Sequence, residues 1–199
     1  MAKKQKMEEN ASLLNVISPI ALKFESNNFT LGENYCKGYG MIKYPPAPNY
    51  GWLTRITNIP STAVSFTFTP NQGEILESIN KNITMLSGQA RTAKDRLKQQ
   101  RAEKGAKDGM KLLQQIDENG EVVGELAGTL IPIDKESLKK VEQKMRGTCA
   151  MTNLKVRPLT LMQKHALQHV APFYIENPLL NEVSNRVMPL RTFVGGFPF

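Results

Sequence analysis

The chain has 199 residues, enough for one domain that buries about 70% of the surface of its unfolded chain without disulfides. Its 40% apolar and 22% charged residues are ordinary for a globular protein and exclude wholesale disorder. The net charge of +8 indicates an anionic partner, and the composition leaves nucleic acid, anionic lipid and an acidic protein open.

The cysteines and the N-terminal segment predict a cytosolic protein. Cys36 and Cys149 are the two cysteines, and they lie 113 positions apart, so we expect buried, reduced thiols rather than a disulfide framework. The longest apolar candidate, residues 13–22, is interrupted by polar residues and is shorter than the roughly 18 residues that a spanning helix needs. Residues 1–12 are charged and predict a flexible tail.

The first predicted elements are short strands. Residues 20–24, 29–31 and 39–44 are rich in apolar and aromatic residues and are separated by Asn and Gly residues that favour turns. A short amphipathic segment, residues 52–56, follows a proline-rich stretch. In residues 64–68, Val and Phe alternate with Ser and Thr, which is typical of a strand with one buried face.

A long amphipathic helix is the clearest periodic pattern. Thr69 and Pro70 favour a helix start, and apolar residues then recur every three or four positions, which predicts a helix over about 70–102. Gly105 and Gly109 disfavour its continuation as one rod. A shorter helical segment around residues 110–116 is expected to end at the Asn119–Gly120 turn.

Strands and helices alternate in the rest of the chain. Residues 126–133 predict a strand ended by Pro132, and Asp134 is expected to cap a helix that Gly147 terminates. A strand over about 151–157 follows, and then a helix opened by Thr160 and Gln163 in a capping-box pattern.

This order of elements predicts an α+β fold, a two-layer sandwich with helices packed on one face of a mainly antiparallel sheet. We expect the α+β domain to span residues 13–175.

Two patterns bear on catalysis. No segment matches the phosphate-binding pattern G-x-x-x-x-G-K-[ST], which argues against nucleotide hydrolysis by this chain. His165 and His169 lie one helical turn apart, as two zinc ligands would, but no third ligand follows from the spacing. We therefore interpret them as the polar flank of an amphipathic helix and predict no catalytic, cofactor-binding or metal-binding residue.

The segment Lys37–Tyr44 resembles the aromatic octapeptide of RNA-recognition motifs. In that motif Tyr39 would stack on a base and Lys37 would contact a phosphate. However, that octapeptide lies on the third strand of the motif, and too few residues precede it here for the required strand, helix and second strand. A tyrosine-bearing strand is the structural alternative.

Basic residues are concentrated in residues 91–111, which hold eight Lys and Arg against three Asp and Glu, a net charge of +5. The segment could be the solvated end of a long helix, or a basic arm that contacts anionic lipid, protein or DNA without sequence specificity. The candidate contacts with an anionic partner are Arg91, Lys94, Lys98, Arg101 and Lys104.

Several segments together resemble the amino-terminal domain of a conjugative-transfer ATPase of the VirB class, the energiser of type IV secretion, from a mobile element of Gram-positive bacteria. They are the strand around residues 39–44 with the following Gly51-Trp52-Leu53, the strand at 64–69 before Pro70, the long charged helix, and the closing run 185–199. The closing run is the most specific of them.

The resemblance implies a division of labour. The ATPase core of that family lies downstream, so residues 176–199 would be a linker toward an absent C-terminal domain, and ATP and magnesium would bind only there. The segment itself would be a non-catalytic docking and assembly domain, cut from a longer protein. Its expected partners are inner-membrane components of a conjugative secretion channel and neighbouring subunits, and its expected place is the cytoplasmic face of the cell membrane.

Two alternatives stay open at this point. The first is an RNA- or DNA-binding α+β module that uses the basic helix and the Lys37–Tyr44 strand. The second is an enzyme of another kind that uses His165 and His169.

Overall fold

The computed structural model describes residues 22–45, 48–171 and 178–197. It confirms the α+β prediction: within these residues, antiparallel strands form an open sheet that helices accompany. The predicted tail, residues 1–12, and the start of the first predicted strand at Ile20 lie outside the described residues.

The described residues contain eight strands and seven helices. The strands are β1 (Leu22–Phe24), β2 (Phe29–Leu31), β3 (Asn34–Cys36), β4 (Tyr39–Lys43), β5 (Thr62–Pro70), β6 (Val123–Asp134), β7 (Lys155–Pro158) and β8 (Arg186–Pro189). The helices are α1 (Thr54–Thr57), α2 (Gln72–Thr92), α3 (Arg96–Asn119), α4 (Leu138–Met151), α5 (Gln163–Val170), α6 (Pro178–Ser184) and α7 (Leu190–Val194).

The chain divides into two compact units. Of the described residues, the first unit contains 22–45, 53–66, 128–171 and 178–184. The second unit contains 48–52, 67–127 and 185–197.

The sheet of the first unit has the strand order β1-β2-β3-β6-β4-β7. Strand β6 pairs with β3 on one side, where Cys36 lies opposite Ile133, and with β4 on the other, where Tyr39 lies opposite Leu130. Nearly all residues of β6 are buried, on both faces of the strand, which accounts for its nearly continuous apolar sequence. A core cluster packs around it: Phe29, Cys36, Ile131, Leu159, Ala166 and Leu180.

Buried Gln163 links α5 to the sheet of the first unit. Its amide oxygen accepts a hydrogen bond from the backbone N–H of Gly38 at 2.7 Å, and its amide nitrogen donates to the Leu159 carbonyl at 2.7 Å. The predicted capping box of Thr160 and Gln163 is therefore wrong, because Gln163 is 1% exposed and bonds to Gly38 and Leu159, and the N-cap of α5 is Met162.

Helix α4 also differs from its prediction at both ends. Asp134 accepts hydrogen bonds from the backbone N–H groups of Ser137 and Glu136, which hold its pKa below the ordinary value, but the helix begins later, at Leu138. Gly147 does not end the helix, which continues to Met151. Pro132 likewise does not end β6, since the strand continues to Asp134.

An antiparallel helical hairpin, α2 with α3, dominates the second unit. Isoleucines from the two helices, Ile75 and Ile116, pack with Val123 at its base. Further along, α3 presents Gly109 to Ile83 and Gly105 to Leu86. These pairs run in opposite directions along the two helices, as an antiparallel hairpin requires.

The single helix predicted over about 70–102 is thus wrong, because two helices stand in its place. Strand β5 extends through Thr69 and Pro70, so these residues extend a β-strand instead of starting a helix, and Asn71 is the N-cap. The first helix ends at Thr92, and the second runs from Arg96 to Asn119. The predicted end at Asn119–Gly120 is confirmed, with Gly120 in the left-handed conformation at φ 60°.

Gly105 and Gly109 lie inside α3 instead of ending it. A Cβ atom built on Gly109 would lie 2.7 Å from Cγ1 of Ile83, and one on Gly105 would lie 3.0 Å from Cδ1 of Leu86. The glycines therefore leave space for the Ile83 and Leu86 side chains of α2 against α3, and this packing offsets the low helix propensity of glycine.

The described part of residues 176–199 contains regular structure. Leu180 and Ser184 of α6 are buried in the first unit. Strand β8 pairs with the first residues of β6 in the second unit, and Val123 lies opposite Pro189. That this segment leads toward a further domain stays a prediction.

Candidate functional site

The candidate site is the hairpin tip, residues 89–104, where the end of α2 meets the start of α3. Ala93 has an extended backbone, with φ −67° and ψ 123°, and this ends α2. The carboxylate of Asp95 then accepts a hydrogen bond from the Leu97 N–H at 2.9 Å, which caps α3. The chain reverses between Thr92 and Arg96, so basic residues on either side of the turn come together.

The five residues predicted to contact an anionic partner all lie in the hairpin tip, and all are exposed. Arg91 is in the last turn of α2, and Lys94 is in the connection between the helices. Lys98, Arg101 and Lys104 follow at intervals of three residues in the first turns of α3. The structure therefore brings together residues from two helices, where the sequence predicted one arm.

The positive charge continues along α3 beyond the hairpin tip. Lys104, Lys107 and Lys111 are exposed and spaced three and four residues apart, which places them on the face of α3 that points away from α2. The opposite face carries buried Ala102 and Ala106, which pack in the hairpin.

Among the residues that the structure describes, no acidic side chain pairs with these positive charges. In the described part of the chain, none of the eight basic side chains of residues 91–111 forms an ion pair within 4.0 Å. Asp95 is engaged at the N-terminus of α3, and Glu103 accepts a hydrogen bond from Gln99. The hairpin tip therefore presents a concentrated positive potential to solvent, which attracts anions over about 8 Å at physiological ionic strength.

A surface cleft of about 430 Å³ lies between the two helices at the hairpin tip. Leu86, Ala93 and Ala102 form its apolar part, while Lys98 and Arg101 line it with cationic groups. It can therefore accept a ligand that has both an apolar and an anionic portion.

Tyr39 of the Lys37–Tyr44 segment belongs to a different cluster, in the first unit. The Tyr39 side chain is 0% exposed, and its hydroxyl donates a hydrogen bond to a carboxylate oxygen of Glu142 at 2.8 Å. The Lys37 ammonium and the Arg146 guanidinium lie 5.6 Å and 5.5 Å from the centre of the tyrosine ring. The octapeptide hypothesis is therefore wrong for Tyr39, because a buried ring cannot stack on a base.

Lys37 is also engaged within the first unit. Its ammonium lies 3.2 Å from a carboxylate oxygen of Glu142. Burial lowers the pKa of Lys37, but the neighbouring Tyr39 and Glu142 outweigh this effect and raise it above its ordinary value. The lysine therefore balances a half-buried carboxylate, which accounts for it without a phosphate contact.

The two histidines occupy different environments on α5. His169 is 1% exposed, so its interpretation as a polar flank is wrong, whereas His165 is half-buried. Within residues 22–45, 48–171 and 178–197, no group of three or more His, Cys, Asp or Glu side chains is placed to hold a metal ion. The pair thus supports no zinc site in the described structure.

We expect the stability of the chain to fall on acidification because of His169. Burial lowers the pKa of His169 below its ordinary value of 6.5. The unfolded chain therefore binds a proton near pH 6.5 that the folded chain does not bind, and stability decreases as the pH falls below 6.5. Urea unfolding between pH 7.5 and 5.5 measures this decrease, which should be smaller in His169→Gln. His165→Gln, which retains His169, is the matched control, and an equal slope in both variants would contradict the assignment.

Both cysteines are free thiols buried in the first unit, as the sequence predicts. Burial raises the pKa of Cys36 and of Cys149 to about 11. Because the thiolate is the nucleophilic form, neither residue is set up for nucleophilic catalysis at neutral pH.

Comparisons with known proteins give no family assignment. No protein-family model matches the chain, and a search of curated protein sequences finds no significant match. None of the helices that the structure describes is both long and apolar enough to span a membrane.

Sequence reasoning identified the basic residues but missed the turn that gathers them. The available signal was Asp95, which precedes a second run of helix-forming residues and is a favourable N-cap. The apolar periodicity concealed this signal because it continues with the same spacing across the turn.

Proposed function

We propose that the chain is a non-catalytic docking and assembly domain of a conjugative DNA-transfer ATPase. In this proposal it lies at the cytoplasmic face of the cell membrane and binds inner-membrane components of a type IV secretion channel and neighbouring subunits. The support from the sequence is the resemblance described above and the lack of a phosphate-binding pattern. ATP and magnesium would bind in a downstream domain of the parent protein.

The observation that carries the binding role is the hairpin tip. Its basic side chains are exposed and lack acidic partners in the described structure, whereas a domain surface generally intersperses charges of both signs. Concentrated, uncompensated charge speeds association with an oppositely charged partner and contributes to specificity. The geometry therefore favours docking through the hairpin tip.

Nucleic-acid binding is the second candidate function, and only the basic hairpin tip still supports it. The basic hairpin tip could contact a DNA backbone, but Tyr39 and Lys37 are engaged inside the first unit. This candidate reduces to contact without sequence specificity, with a strong dependence on salt.

Two measurements test the docking proposal. The purified chain should release no phosphate from ATP above background, and measurable turnover would overturn its non-catalytic part. Overproduced in donor cells that carry the parental element, the chain should compete for the channel and lower the transfer frequency. A variant with Arg91, Lys94, Lys98, Arg101 and Lys104 changed to glutamine should compete less.

The transfer experiment needs two controls. Immunoblots should show equal amounts of both forms, and removal of five basic residues outside the hairpin should leave the competition intact. An unchanged transfer frequency with the unmodified chain would contradict the docking proposal.

A further inference from the structure

The cleft at the hairpin tip combines an apolar surface with cationic groups, whereas a basic patch has cationic groups alone. Its apolar part comes from both helices and their connection: Leu86, Ala93 and Ala102. Lys98 and Arg101, one turn apart on α3, add two cationic groups to the same cleft. A ligand that fills it should carry a negative charge beside an apolar portion.

An exposed apolar side chain, Leu97, lies on the surface of the hairpin tip beside the basic residues. It lies in the first turn of α3, and its side chain is 54% exposed. Arg101 lies four residues further on, so the two side chains are neighbours on the helix surface. Helices that lie in the headgroup region of a membrane combine leucine with Lys and Arg, and Leu97 beside Arg101 provides this combination.

Duplex DNA fits these observations less well. A DNA backbone offers phosphates but no apolar portion for Leu97 or for the apolar part of the cleft. Residues 91–111 also contain no aromatic side chain on which a single-stranded base could stack. An anionic phospholipid carries a negatively charged phosphate close to apolar acyl chains, as the cleft and Leu97 require.

We propose that the cleft at the hairpin tip binds the headgroup of an anionic phospholipid, with Leu97 inserted among neighbouring lipids. The inference rests on the proposed docking function and names a membrane lipid as one partner of its hairpin tip. Lys98 and Arg101 bind the phosphate, and the apolar part of the cleft covers the glycerol and the first acyl carbons.

Sedimentation with vesicles tests this proposal on the full 199-residue chain. The chain should bind vesicles of phosphatidylcholine with phosphatidylglycerol and should not bind phosphatidylcholine alone. Lys98→Gln with Arg101→Gln should weaken binding about 25-fold, since each basic residue near an anionic surface contributes roughly fivefold. Leu97→Gln should weaken it about tenfold, because the inserted apolar area is lost.

The matched control removes two charges from another helix. Lys140→Gln with Lys144→Gln changes two exposed residues of α4, and this variant should bind the vesicles as the unmodified chain does. Equal weakening by both double variants would overturn the proposal, because binding would then follow net charge alone. Circular dichroism of every variant should match that of the unmodified chain.

A parallel measurement with DNA distinguishes anionic lipid from DNA as the partner of the hairpin tip. Leu97→Gln should leave any affinity for a short DNA duplex unchanged while it weakens vesicle binding. Equal binding to both vesicle types, or vesicle binding that does not depend on Leu97, would overturn the lipid assignment.

The vesicles contain no channel protein, so the vesicle experiment and the transfer experiment can fail separately. A chain that ignores anionic vesicles but still lowers transfer frequency would retain docking and lose the lipid site. A chain that binds the vesicles as predicted but does not lower the transfer frequency in donor cells would retain the lipid site and lose the docking function.

Discussion

Tyr39→Ala is expected to lower the free energy of unfolding by about 4 kcal/mol, as large-to-small changes of buried aromatic residues do. The side chain is 0% exposed, and its removal leaves a cavity in the first unit. The substitution also removes the hydrogen bond that the Tyr39 hydroxyl donates to Glu142. Lys37 and Arg146 lose their contacts with the tyrosine ring. Urea unfolding followed by far-UV circular dichroism measures the change.

Tyr39→Phe separates the contribution of the hydroxyl from that of the ring, and Tyr50→Ala is the control at an exposed tyrosine. Tyr39→Phe keeps the ring and should cost about 1 kcal/mol, the usual net contribution of one hydrogen bond. Tyr50→Ala removes a tyrosine that is 71% exposed and should cost much less than Tyr39→Ala, because far less buried apolar area is lost. A loss for Tyr39→Ala no larger than that for Tyr50→Ala would contradict the buried placement. Tyr39→Phe should also leave any nucleic-acid affinity unchanged.

Gly124→Ala is expected to destabilise the second unit by about 3 kcal/mol through overpacking. A Cβ atom at this position would lie 2.5 Å from Cζ of Phe68 and 2.6 Å from the carbonyl oxygen of Thr69. Phe68 cannot move away freely, because its ring stacks on Phe193 at 5.5 Å. Fluorescence of Trp52, which belongs to the same unit and is buried, follows the unfolding transition in urea.

Gly88→Ala is the matched control for this substitution. A Cβ atom built on Gly88 meets no atom within 4 Å, and the residue lies inside α2. Alanine there should stabilise the chain by about 0.5–1 kcal/mol, because glycine is the poorer helix former. Destabilisation of equal size in both variants would indicate that the close approach around Gly124 is absent in solution.

The sequence predicted the type of most elements but misjudged several boundaries. Alternation in residues 64–68 predicted β5 correctly, yet all of residues 62–68 are half-buried, so no single buried face results. Short β3, Asn34–Cys36, was missed because it begins with asparagine, which is depleted in strands, and its pairing with β2 and β6 is not visible in the local sequence. Strand β8 was missed because its pairing partner, β6, lies far away in the sequence.

The candidate residues of the site were predictable, whereas their arrangement was not. Charge density alone identified Arg91, Lys94, Lys98, Arg101 and Lys104. A helical periodicity of apolar residues is the same for one long helix and for two helices that share a buried face, so it did not reveal the reversal. The cleft forms only when Leu86 of α2 and Ala102 of α3 face each other, which depends on the hairpin.

The sequence by itself determined the α+β class, the free thiols and the concentration of positive charge in residues 91–111, because these depend on local composition and short periods. The tertiary structure alone decided where the aromatic and polar residues of the motifs lie. Tyr39 became a buried hydrogen-bonding residue, Gln163 a link between α5 and the sheet, and Gly109 a close-contact position. Each of these roles depends on a partner distant in the sequence, and burial and packing choose that partner.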